Sequence, residues 1–538
     1  MATTGPAAAT PEMDLPGRRS MLPGPNYGAA EWLAKQASLV PEREALVEGA
    51  TRWTYAQLNE RVTRLARVLR GPFGIGPFER VATLSLNSCE FLELFYATAR
   101  IRAMLVPLNI RLSPAELAYQ LRDSAARVLF VGPELTDLAD QLPDDLPLER
   151  RVVIGPDYEA LLAGASPDPL PRSEQAAFTD PHAILYTSGT TGRPKGAVLT
   201  HANWFWNSVN MGFAVGLSCA DTTLTVLPMF HCGGIGLFTV PTLHRGGRVV
   251  LLRKFDPAML LRLVRAESVA LVFGVPFIWL ELLKDEAFTA SNYPSIRYLV
   301  SGGAPHPLAL IEQLQARGFV FLQGYGLTET APGGTLIPPE DARRKAGTVG
   351  KPVLHVELRI VDEEERDVPP QTIGEVLFRG PNVFAGYWNL PQATAEAFTA
   401  DGWFRTGDLG LMDDEGFVTV IDRKKDMIIS GGENIYSAEV EDVLFAHPAV
   451  ADAAVIGIPD PRWGEAVRAL VVPKPGATLT AEEVIAHCRT RLARYKVPKS
   501  VIFVESLPRN AAGKVLKREL RRLYGAEGPV PGHPIPAS

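Results

Sequence analysis

The sequence is poor in cysteine, in positive charge and in long apolar runs. Its four cysteines among 538 residues form no CxxC pair, which excludes a disulfide framework and favours free thiols in a reducing compartment. No run of 18 apolar residues exists, so no transmembrane helix is predicted. The net charge of −6 argues against a nucleic-acid-binding protein, although one local cluster of donors is enough to bind a nucleotide.

Both ends of the chain lack targeting signals. Residues 1–26 have no charged segment followed by an apolar stretch, so we predict a mobile tail and no signal peptide. The final Pro-Ala-Ser is not a peroxisomal address, and residues 526–538 are rich in Pro and Gly. We therefore expect a disordered C-terminal tail and a cytoplasmic protein.

Short apolar runs alternate with helix signals along most of the chain. Thr54 and Gln57 predict a capping box, and runs such as Arg248–Leu252 and Tyr298–Val300 predict buried strands. The pattern predicts an α/β fold of layered, largely parallel sheets, and the length predicts several domains.

A charged break at residues 422–426 separates two unequal parts. The segment after it has its own small α/β pattern, with a helix predicted from Ser437. We therefore predict a large N-terminal domain over 27–422, a hinge at 423–425 and a small mobile domain over 426–525.

One loop, residues 186–196, has the composition of a phosphate cradle. Its three glycines let backbone amides approach an anion, and its hydroxyls and Lys195 add donors. The spacing GxxxxGK[ST] is absent, so this is not the P-loop of ATPases. On composition alone a surface linker would be the default, but an apolar strand leads directly into this loop.

This loop resembles the phosphate-binding loop of the adenylate-forming superfamily, which includes acyl-CoA synthetases, peptide synthetase adenylation domains and luciferases. Further motifs follow in the family's order, including residues 323–330, 403–408 and 508–515, so the resemblance covers about residues 27–520. Bacterial fatty-acid–CoA ligases are the most similar group, and ligases of cinnamate-type acids are nearly as similar.

The resemblance implies an ATP site with Mg²⁺ as cofactor. Tyr325 would lie on the adenine, Asp408 would accept from the ribose hydroxyls, and Lys514 would stabilise charge on the α-phosphate during adenylation. Thr187 and Glu329 would hold the metal, since hard cations prefer oxygen ligands. The residues that it assigns to ATP are Thr187, Ser188, Gly189, Thr190, Thr191, Gly192, Lys195, Gly303, Gly324, Tyr325, Gly326, Thr328, Asp408, Arg423 and Lys514.

Each of these residues has a plainer interpretation when taken alone. Glu329 would be a solvated surface acid, Asp408 a turn former and Lys514 an idle surface lysine. Because each residue lies in a motif that matches the family in order and spacing, the functional interpretation is favoured over the plainer one.

The resemblance also locates the acyl site. It assigns acyl binding to Phe230, His231, Gly302, Gly303 and Gly324. It implies that His231, Lys514, Thr187 and Glu329 are the catalytic residues. The pair His231-Cys232 could suggest a metal site, but no second pair supports it, so a gating or packing histidine is favoured. The small residues leave room for a long or bulky apolar tail.

The small domain is expected to supply the coenzyme A site. The resemblance assigns it Ser430, Gly431, Gly432, Trp463, Tyr495 and Lys499, and makes Lys425 the hinge residue. One position departs from the pattern, because Val497 stands where a relative has a basic residue.

The expected reaction converts a carboxylic acid, ATP and CoA into acyl-CoA, AMP and pyrophosphate through an acyl-adenylate. A medium- or long-chain fatty acid is the main expected substrate. The alternatives are a cinnamate- or benzoate-type aromatic acid, and an adenylation enzyme that loads a carrier protein, although no carrier domain follows residue 525. A luciferase-like oxidoreductase and a non-catalytic binding protein are less favoured. A homodimer is common in the family, and no nucleic-acid partner is expected.

Overall fold

The computed structural model describes residues 28–171, 176–187, 194–304, 306–424, 426–430, 433–509 and 515–525. The helices are α1 Ala29–Leu39, α2 Tyr55–Arg70, α3 Cys89–Arg100, α4 Pro114–Ser124, α5 Thr136–Ala139, α6 Pro156–Ala163, α7 His201–Ala214, α8 Cys232–Gly236, α9 Thr239–His244, α10 Pro257–Ala266, α11 Pro276–Leu283, α12 Leu308–Ala316, α13 Pro391–Glu396, α14 Ser437–Phe445, α15 Ala481–Arg489 and α16 Lys517–Tyr524. The strands are β1 Glu44–Glu48, β2 Thr51–Thr54, β3 Arg80–Leu84, β4 Met104–Pro107, β5 Val128–Val131, β6 Arg150–Val153, β7 Pro181–Thr187, β8 Lys195–Thr200, β9 Thr222–Thr225, β10 Arg248–Leu251, β11 Leu271–Gly274, β12 Tyr298–Ser301, β13 Phe321–Tyr325, β14 Thr335–Leu336, β15 Lys351–Pro352, β16 Glu357–Val361, β17 Gly374–Arg379, β18 Gly386–Tyr387, β19 Phe404–Met412, β20 Val418–Arg423, β21 Ile428–Ser430, β22 Glu433–Ile435, β23 Val450–Asp460, β24 Gly464–Pro473 and β25 Ser500–Phe503.

Local sequence signals explain where the first helices begin. At the start of α2, Thr54 accepts from the Gln57 amide and the Gln57 side chain accepts from the Thr54 amide. This reciprocal capping satisfies backbone donors that the first turn leaves free. The apolar face of α2, which includes Leu58, Val62 and Leu65, is fully buried against the rest of the large core.

Two large, mainly parallel sheets confirm the predicted α/β class. One runs in the order β15-β14-β13-β12-β11-β9-β10-β1-β2, and the other in the order β18-β8-β7-β4-β3-β5-β6. In the first sheet, β12 is parallel to both β11 and β13, so the segments that follow these strands emerge at the same edge. This edge carries the predicted acyl and adenine segments.

A third sheet departs from the expectation of largely parallel strands. Strands β16, β17, β19 and β20 form an antiparallel meander in the order β16-β17-β19-β20. The chain reverses between β16 and β17 through a turn in which Asp362 accepts from the Glu364 and Arg366 amides. Such Asx turns join antiparallel neighbours directly, so no crossover helix is needed.

The charged break does not interrupt β20 where the sequence suggests. Asp422 and Arg423 still belong to that strand, and Arg423 pairs with Asp408 on β19. The predicted hinge residue Lys425 lies outside the described residues. Beyond it, β22-β21-β24-β23 form a small sheet with β25 added on β24, and α14 and α15 contribute to its core.

Polar contacts join the small sheet region to the end of β20. The Asp422 carboxylate accepts from the backbone amide of Ser437 at 2.6 Å, and Arg521 forms an ion pair with Asp426 at 2.8 Å. Lys517 is paired with Glu441 at 2.8 Å. Within the described part of the chain, no helix has the length and apolar character to cross a bilayer.

Candidate active site

The predicted phosphate loop is the connection of an antiparallel hairpin. Thr187 ends β7 and pairs with Lys195, which begins β8, and the Thr187 hydroxyl donates to the Lys195 carbonyl at 3.4 Å. The Lys195 ammonium lies 5.0 Å from the centre of the Tyr387 ring. Ser188, Gly189, Thr190, Thr191 and Gly192 lie outside the described residues, so their predicted role stays a prediction.

Glu329 lies in a turn after β13 and is buried, contrary to the behaviour of a solvated surface acid. Its carboxylate accepts a hydrogen bond from the Tyr387 hydroxyl at 2.9 Å. Burial raises the pKa of Glu329 above its ordinary value, because the charged form loses its hydration. Tyr387 therefore lies between Lys195 of the phosphate hairpin and the buried carboxylate.

Asp408 is held by two side chains in a buried position. Its carboxylate accepts from the Tyr325 hydroxyl at 2.6 Å, and its other oxygen lies 3.1 Å from Arg423 Nε. Burial, and then the Asp408 charge, raise the pKa of Tyr325 well above its ordinary value, so the phenol is a donor. The β19–β20 ladder thus pairs Asp408 with Arg423, and Tyr325 reaches Asp408 from β13 of another sheet.

Glycine is required at one position in β13 and at one position in the turn after it. A Cβ on Gly326 would lie 1.8 Å from the Pro332 carbonyl oxygen, and one on Gly324 would lie 2.8 Å from the Thr335 oxygen. Any side chain at Gly326 would therefore displace the backbone between Tyr325 and Glu329. Thr328 lies on this turn, half-buried.

Two of the predicted acyl residues meet where β12 ends beside β13. A Cβ on Gly302 would approach the Gly324 oxygen to 2.9 Å, so these two segments touch through their backbones. Gly303 is exposed and has a φ of +79°, a conformation that favours glycine.

Phe230 and His231 lie immediately before α8, with their rings 4.7 Å apart. Burial lowers the pKa of His231 to about 4, and its Nε2 is buried with no hydrogen-bond partner among the described residues. No group of three or more His, Cys, Asp or Glu suited to a metal occurs in the described part of the chain. The gating or packing role of His231 stays a prediction.

The predicted coenzyme A residues border strand β24. Ser430 pairs with Gly464 directly after Trp463, and the Lys499 amide donates to the Val467 carbonyl at 2.8 Å. Trp463 and Tyr495 are exposed. Lys499 also lines a cavity of about 620 Å³ with Arg489 and Arg494. Gly431, Gly432 and the predicted adenylation residue Lys514 lie outside the described residues.

Sequence reasoning missed several residues that border these sites. Tyr387 contacts both Lys195 and Glu329, and the Phe273 ring lies beside the predicted acyl residue Gly302. Arg489 and Arg494 add cations beside Lys499. They line the same cavity as Val497, which stands where a relative has a basic residue. The two aromatic residues after Gly386 mark the segment Gly386-Tyr387-Trp388 as a candidate for binding. Nothing in the local pattern connects this segment to residue 329.

Comparisons with known proteins assign the chain to a family. The sequence profile of AMP-binding enzymes matches residues 33–388, and that of the AMP-binding enzyme C-terminal domain matches residues 439–514. The chain belongs to the AMP-binding enzyme family, as the resemblance of its motifs indicated.

Curated relatives cover almost the whole chain. It is 43% identical to a feruloyl-CoA synthase of Amycolatopsis sp, over 93% of this chain and 100% of the relative. It is 42% identical to an indoleacetate–CoA ligase of Aromatoleum aromaticum, over 92% and 98%. It is 39% identical to a long-chain-fatty-acid–CoA ligase of Mycobacterium tuberculosis, over 93% and 99%.

Solved structures agree with this family. The ATP-bound MatB of Rhodopseudomonas palustris matches with a TM-score of 0.86 and 34% identity, over 93% of this chain and 99% of that one. The o-succinylbenzoate CoA synthetase of Bacillus subtilis with its acyl-adenylate matches with a TM-score of 0.83 and 33% identity, over 93% and 98%. The chain is an AMP-forming CoA ligase that works through an acyl-adenylate, with ATP, CoA and a carboxylic acid as its substrates.

Proposed function

We propose that this chain is an aryl-CoA ligase for a cinnamate- or benzoate-type acid. The observation that carries the proposal is the similarity of the whole chain to two ligases of aromatic acids. Phe230 and Phe273 contribute aromatic rings beside the predicted acyl residues His231 and Gly302, and such rings favour a flat ring through edge-to-face packing.

The relatives support the aromatic alternative over the fatty acid that was the main expectation. The names of the feruloyl and indoleacetate enzymes denote aromatic acids, and both relatives are more similar to this chain than the fatty-acid ligase is. The fatty-acid reaction is therefore the less well supported of the two, although it belongs to the same reaction class.

The nucleotide would bind along the edge of β13 and the β19–β20 pair. Asp408 would accept from the ribose hydroxyls, and the Tyr325 ring, which is stacked 5.6 Å from Phe378, would carry the adenine. Arg423 holds the carboxylate in place and adds positive charge near the phosphates. Thr187 and Lys195, at the two ends of the phosphate hairpin, would contact the phosphates.

The residues present suit a magnesium ion. Glu329 is a buried carboxylate whose partner Tyr387 is neutral, so a bound cation would compensate the burial that raises its pKa. Glu329 and the Thr187 hydroxyl are hard oxygen donors of the kind that Mg²⁺ prefers. When bound, the ion would neutralise charge on the phosphates. The same Bacillus subtilis synthetase has been solved with ATP and magnesium, with a TM-score of 0.82.

The small domain would complete both half-reactions. In one orientation Lys514 would stabilise charge on the α-phosphate as the acid's carboxylate attacks it and pyrophosphate leaves. After rotation about Lys425, the groove with Lys499, Arg489 and Arg494 would hold the phosphates of CoA, whose thiol then attacks the adenylate and releases AMP. The cytoplasmic location and the homodimer stay predictions.

A substrate panel tests the proposal. Pyrophosphate release is measured with purified enzyme, ATP, Mg²⁺ and CoA against ferulate, cinnamate, benzoate, octanoate and palmitate. We expect the highest kcat/KM with an aromatic acid. Acyl-CoA formation, followed by mass spectrometry, must accompany pyrophosphate release.

Two outcomes would contradict the proposal. Highest kcat/KM with octanoate or palmitate would return the assignment to a fatty-acid ligase. Pyrophosphate release that does not increase when CoA is added would show that CoA is not the acyl acceptor, as in a carrier-loading enzyme.

A further inference from the structure

Asn207 of α7 lies between the acyl segment and the turn that carries Glu329. Its side-chain amide donates to the Gly236 carbonyl, at the end of α8, at 2.7 Å. Its side-chain oxygen accepts from the Gly333 amide, shortly after Glu329, at 3.0 Å. The side chain is buried, so bulk water does not compete for either bond. One amide group therefore joins two backbone segments that are far apart in the sequence.

The same two segments also touch directly. A Cβ on Gly236 would lie 2.8 Å from Cδ of Pro332 and 3.0 Å from the Ala331 carbonyl oxygen. A Cβ on Gly333 would lie 2.8 Å from Cε of Met211 on α7. Because the two backbones are close-packed here, a displacement of α8 must displace the turn as well.

The turn is held from its other side by a second buried amide, that of Asn382. The Asn382 side chain donates to the Thr330 carbonyl at 2.7 Å and to the Gly333 carbonyl at 2.6 Å. The Phe384 amide donates to the Glu329 carbonyl at 2.8 Å. The turn is thus tied together, and a shift at Gly333 reaches the backbone of the proposed magnesium ligand Glu329.

The helix α8 begins directly after the predicted acyl residue His231. The His231 carbonyl accepts from the Gly234 amide at 3.0 Å and from the Ile235 amide at 3.3 Å. The acyl residue and the helix therefore form one unit. A hydrogen-bonded path runs from His231 through α8 and Asn207 to the turn of Glu329.

We propose that Asn207 is a positioning residue that couples binding of the carboxylic acid to binding of ATP. The inference rests on the proposed function, through its acyl and magnesium residues, and it concerns the affinity common to all acids. An acid that orders α8 also orders the Glu329 turn through the Asn207 amide, so that ATP meets a turn already in place. Such coupling is reciprocal, because the acid and the nucleotide change each other's affinity by the same factor.

A purely structural role for Asn207 predicts a different result. If the side chain only satisfied two buried backbone groups, its loss would lower the free energy of unfolding. The nucleotide affinity would then change equally with and without acid. The coupling factor, defined as the nucleotide Kd without acid divided by its Kd with acid, cancels such a common change. Repulsion between the acid's carboxylate and the phosphates cancels when two variants are compared.

The test measures the coupling factor in wild type and in Asn207→Leu by isothermal titration calorimetry. The titrant is α,β-methylene-ATP with Mg²⁺, in which a methylene replaces the bridging oxygen of the bond that adenylation breaks, and CoA is absent. The acid is the member of the substrate panel with the highest kcat/KM. We expect the coupling factor to fall at least about 5-fold in Asn207→Leu, the lower end of ordinary coupling between sites. An unchanged factor in a folded variant overturns the inference.

A matched control on the same helix locates the effect. The buried Asn210 side chain accepts from the amide of His355, in the loop before β16, at 3.1 Å. Asn210→Leu therefore makes the same change on α7 but breaks a bond to another segment. It should lower the free energy of unfolding and leave the coupling factor at the wild-type value. A fall equal to that in Asn207→Leu would overturn the assignment of the coupling to Asn207.

Asn207→Ala provides the measurement if Asn207→Leu does not fold. The smaller side chain leaves space in which a water molecule can satisfy the Gly236 carbonyl and the Gly333 amide. The fixed link between the two segments is still lost, so the same fall in the coupling factor is expected. A factor that stays at the wild-type value in Asn207→Ala overturns the inference.

Failure of this inference can be told apart from failure of the proposed function. A wild type that prefers octanoate contradicts the aryl-CoA ligase assignment, and the coupling factor is then measured with octanoate. A coupling factor that is unchanged in folded Asn207→Leu or Asn207→Ala contradicts only the role of Asn207.

Discussion

The nucleotide side and the acyl side of the site are built on different physical principles. On the nucleotide side, polar groups are paired at short distances, as in Tyr325–Asp408 at 2.6 Å and Tyr387–Glu329 at 2.9 Å. On the acyl side, the backbones of Gly302 and Gly324 touch, the Phe230 ring packs on His231, and His231 Nε2 has no partner in the described part of the protein. Charge and hydrogen bonds therefore define one side, and apolar packing defines the other.

This difference explains why the reaction is easier to assign than the substrate. A carboxylate that must accept from ribose can be replaced by few residue types, so its identity is visible in a motif. An apolar wall can be built from many combinations of side chains of similar total volume. The predictions below test whether the two sides act as independently as this comparison implies.

The largest effect is expected for Lys514→Ala. Adenylation, followed by pyrophosphate release, should fall by about 10²–10³-fold, as for loss of one key electrostatic donor. Transfer of a pre-formed acyl-adenylate to CoA should be spared, because the thiol attacks the acyl carbon after the small domain has rotated and carried Lys514 away from the α-phosphate. Arg518→Ala, an exposed cation on α16, is the matched control and should leave both steps unchanged. An equal fall in both half-reactions would show that the assigned role is wrong.

Asp408→Ala should raise the KM for ATP and lower kcat/KM for ATP by about 10–100-fold, the value of hydrogen bonds to a charged group. The ratio of kcat/KM for octanoate to kcat/KM for ferulate should not change, since the acyl side is built separately. Asp414→Ala, an exposed acid near the same sheet, serves as control. A change in acid preference in Asp408→Ala would break the separation between the two sides.

His231 predicts a pH dependence of stability on the acyl side. Because its folded pKa is about 4 and the unfolded value is near 6.5, unfolding takes up a proton between these values. The contribution of neutral His231 to the free energy of unfolding is therefore present above pH 6.5 and is lost as the pH falls towards 4.

From pH 7 to pH 5 this residue should account for a loss of about 2 kcal/mol in the free energy of unfolding. In His231→Gln the loss over that range should be smaller by this amount, as measured by urea denaturation at both pH values. If the free energy of unfolding depends on pH in the same way in wild type and variant, His231 is not held neutral in the folded protein.

The smallest effect is expected for Tyr387→Phe, which removes only the hydroxyl that donates to Glu329. Adenylation should fall by about 10-fold, and the Mg²⁺ concentration for half-maximal rate should rise, because the carboxylate loses the donor that orients it. Tyr293→Phe, which removes the hydroxyl of a buried tyrosine packed against Phe288, is the control. An unchanged Mg²⁺ dependence would exclude a positioning role for Tyr387.

The sequence by itself determined the reaction class, the α/β fold and the identity of residues such as Asp408 and Glu329. It could do so because helix caps, buried strands and chemically constrained motifs are local patterns. It pointed to a fatty acid, and it missed the antiparallel sheet and the continuation of β20 through Arg423. Only the tertiary structure decided which partners these residues have, because Tyr387 reaches Glu329 and Tyr325 reaches Asp408 from separate elements. Such contacts are a property of packing, which no single segment of the chain encodes.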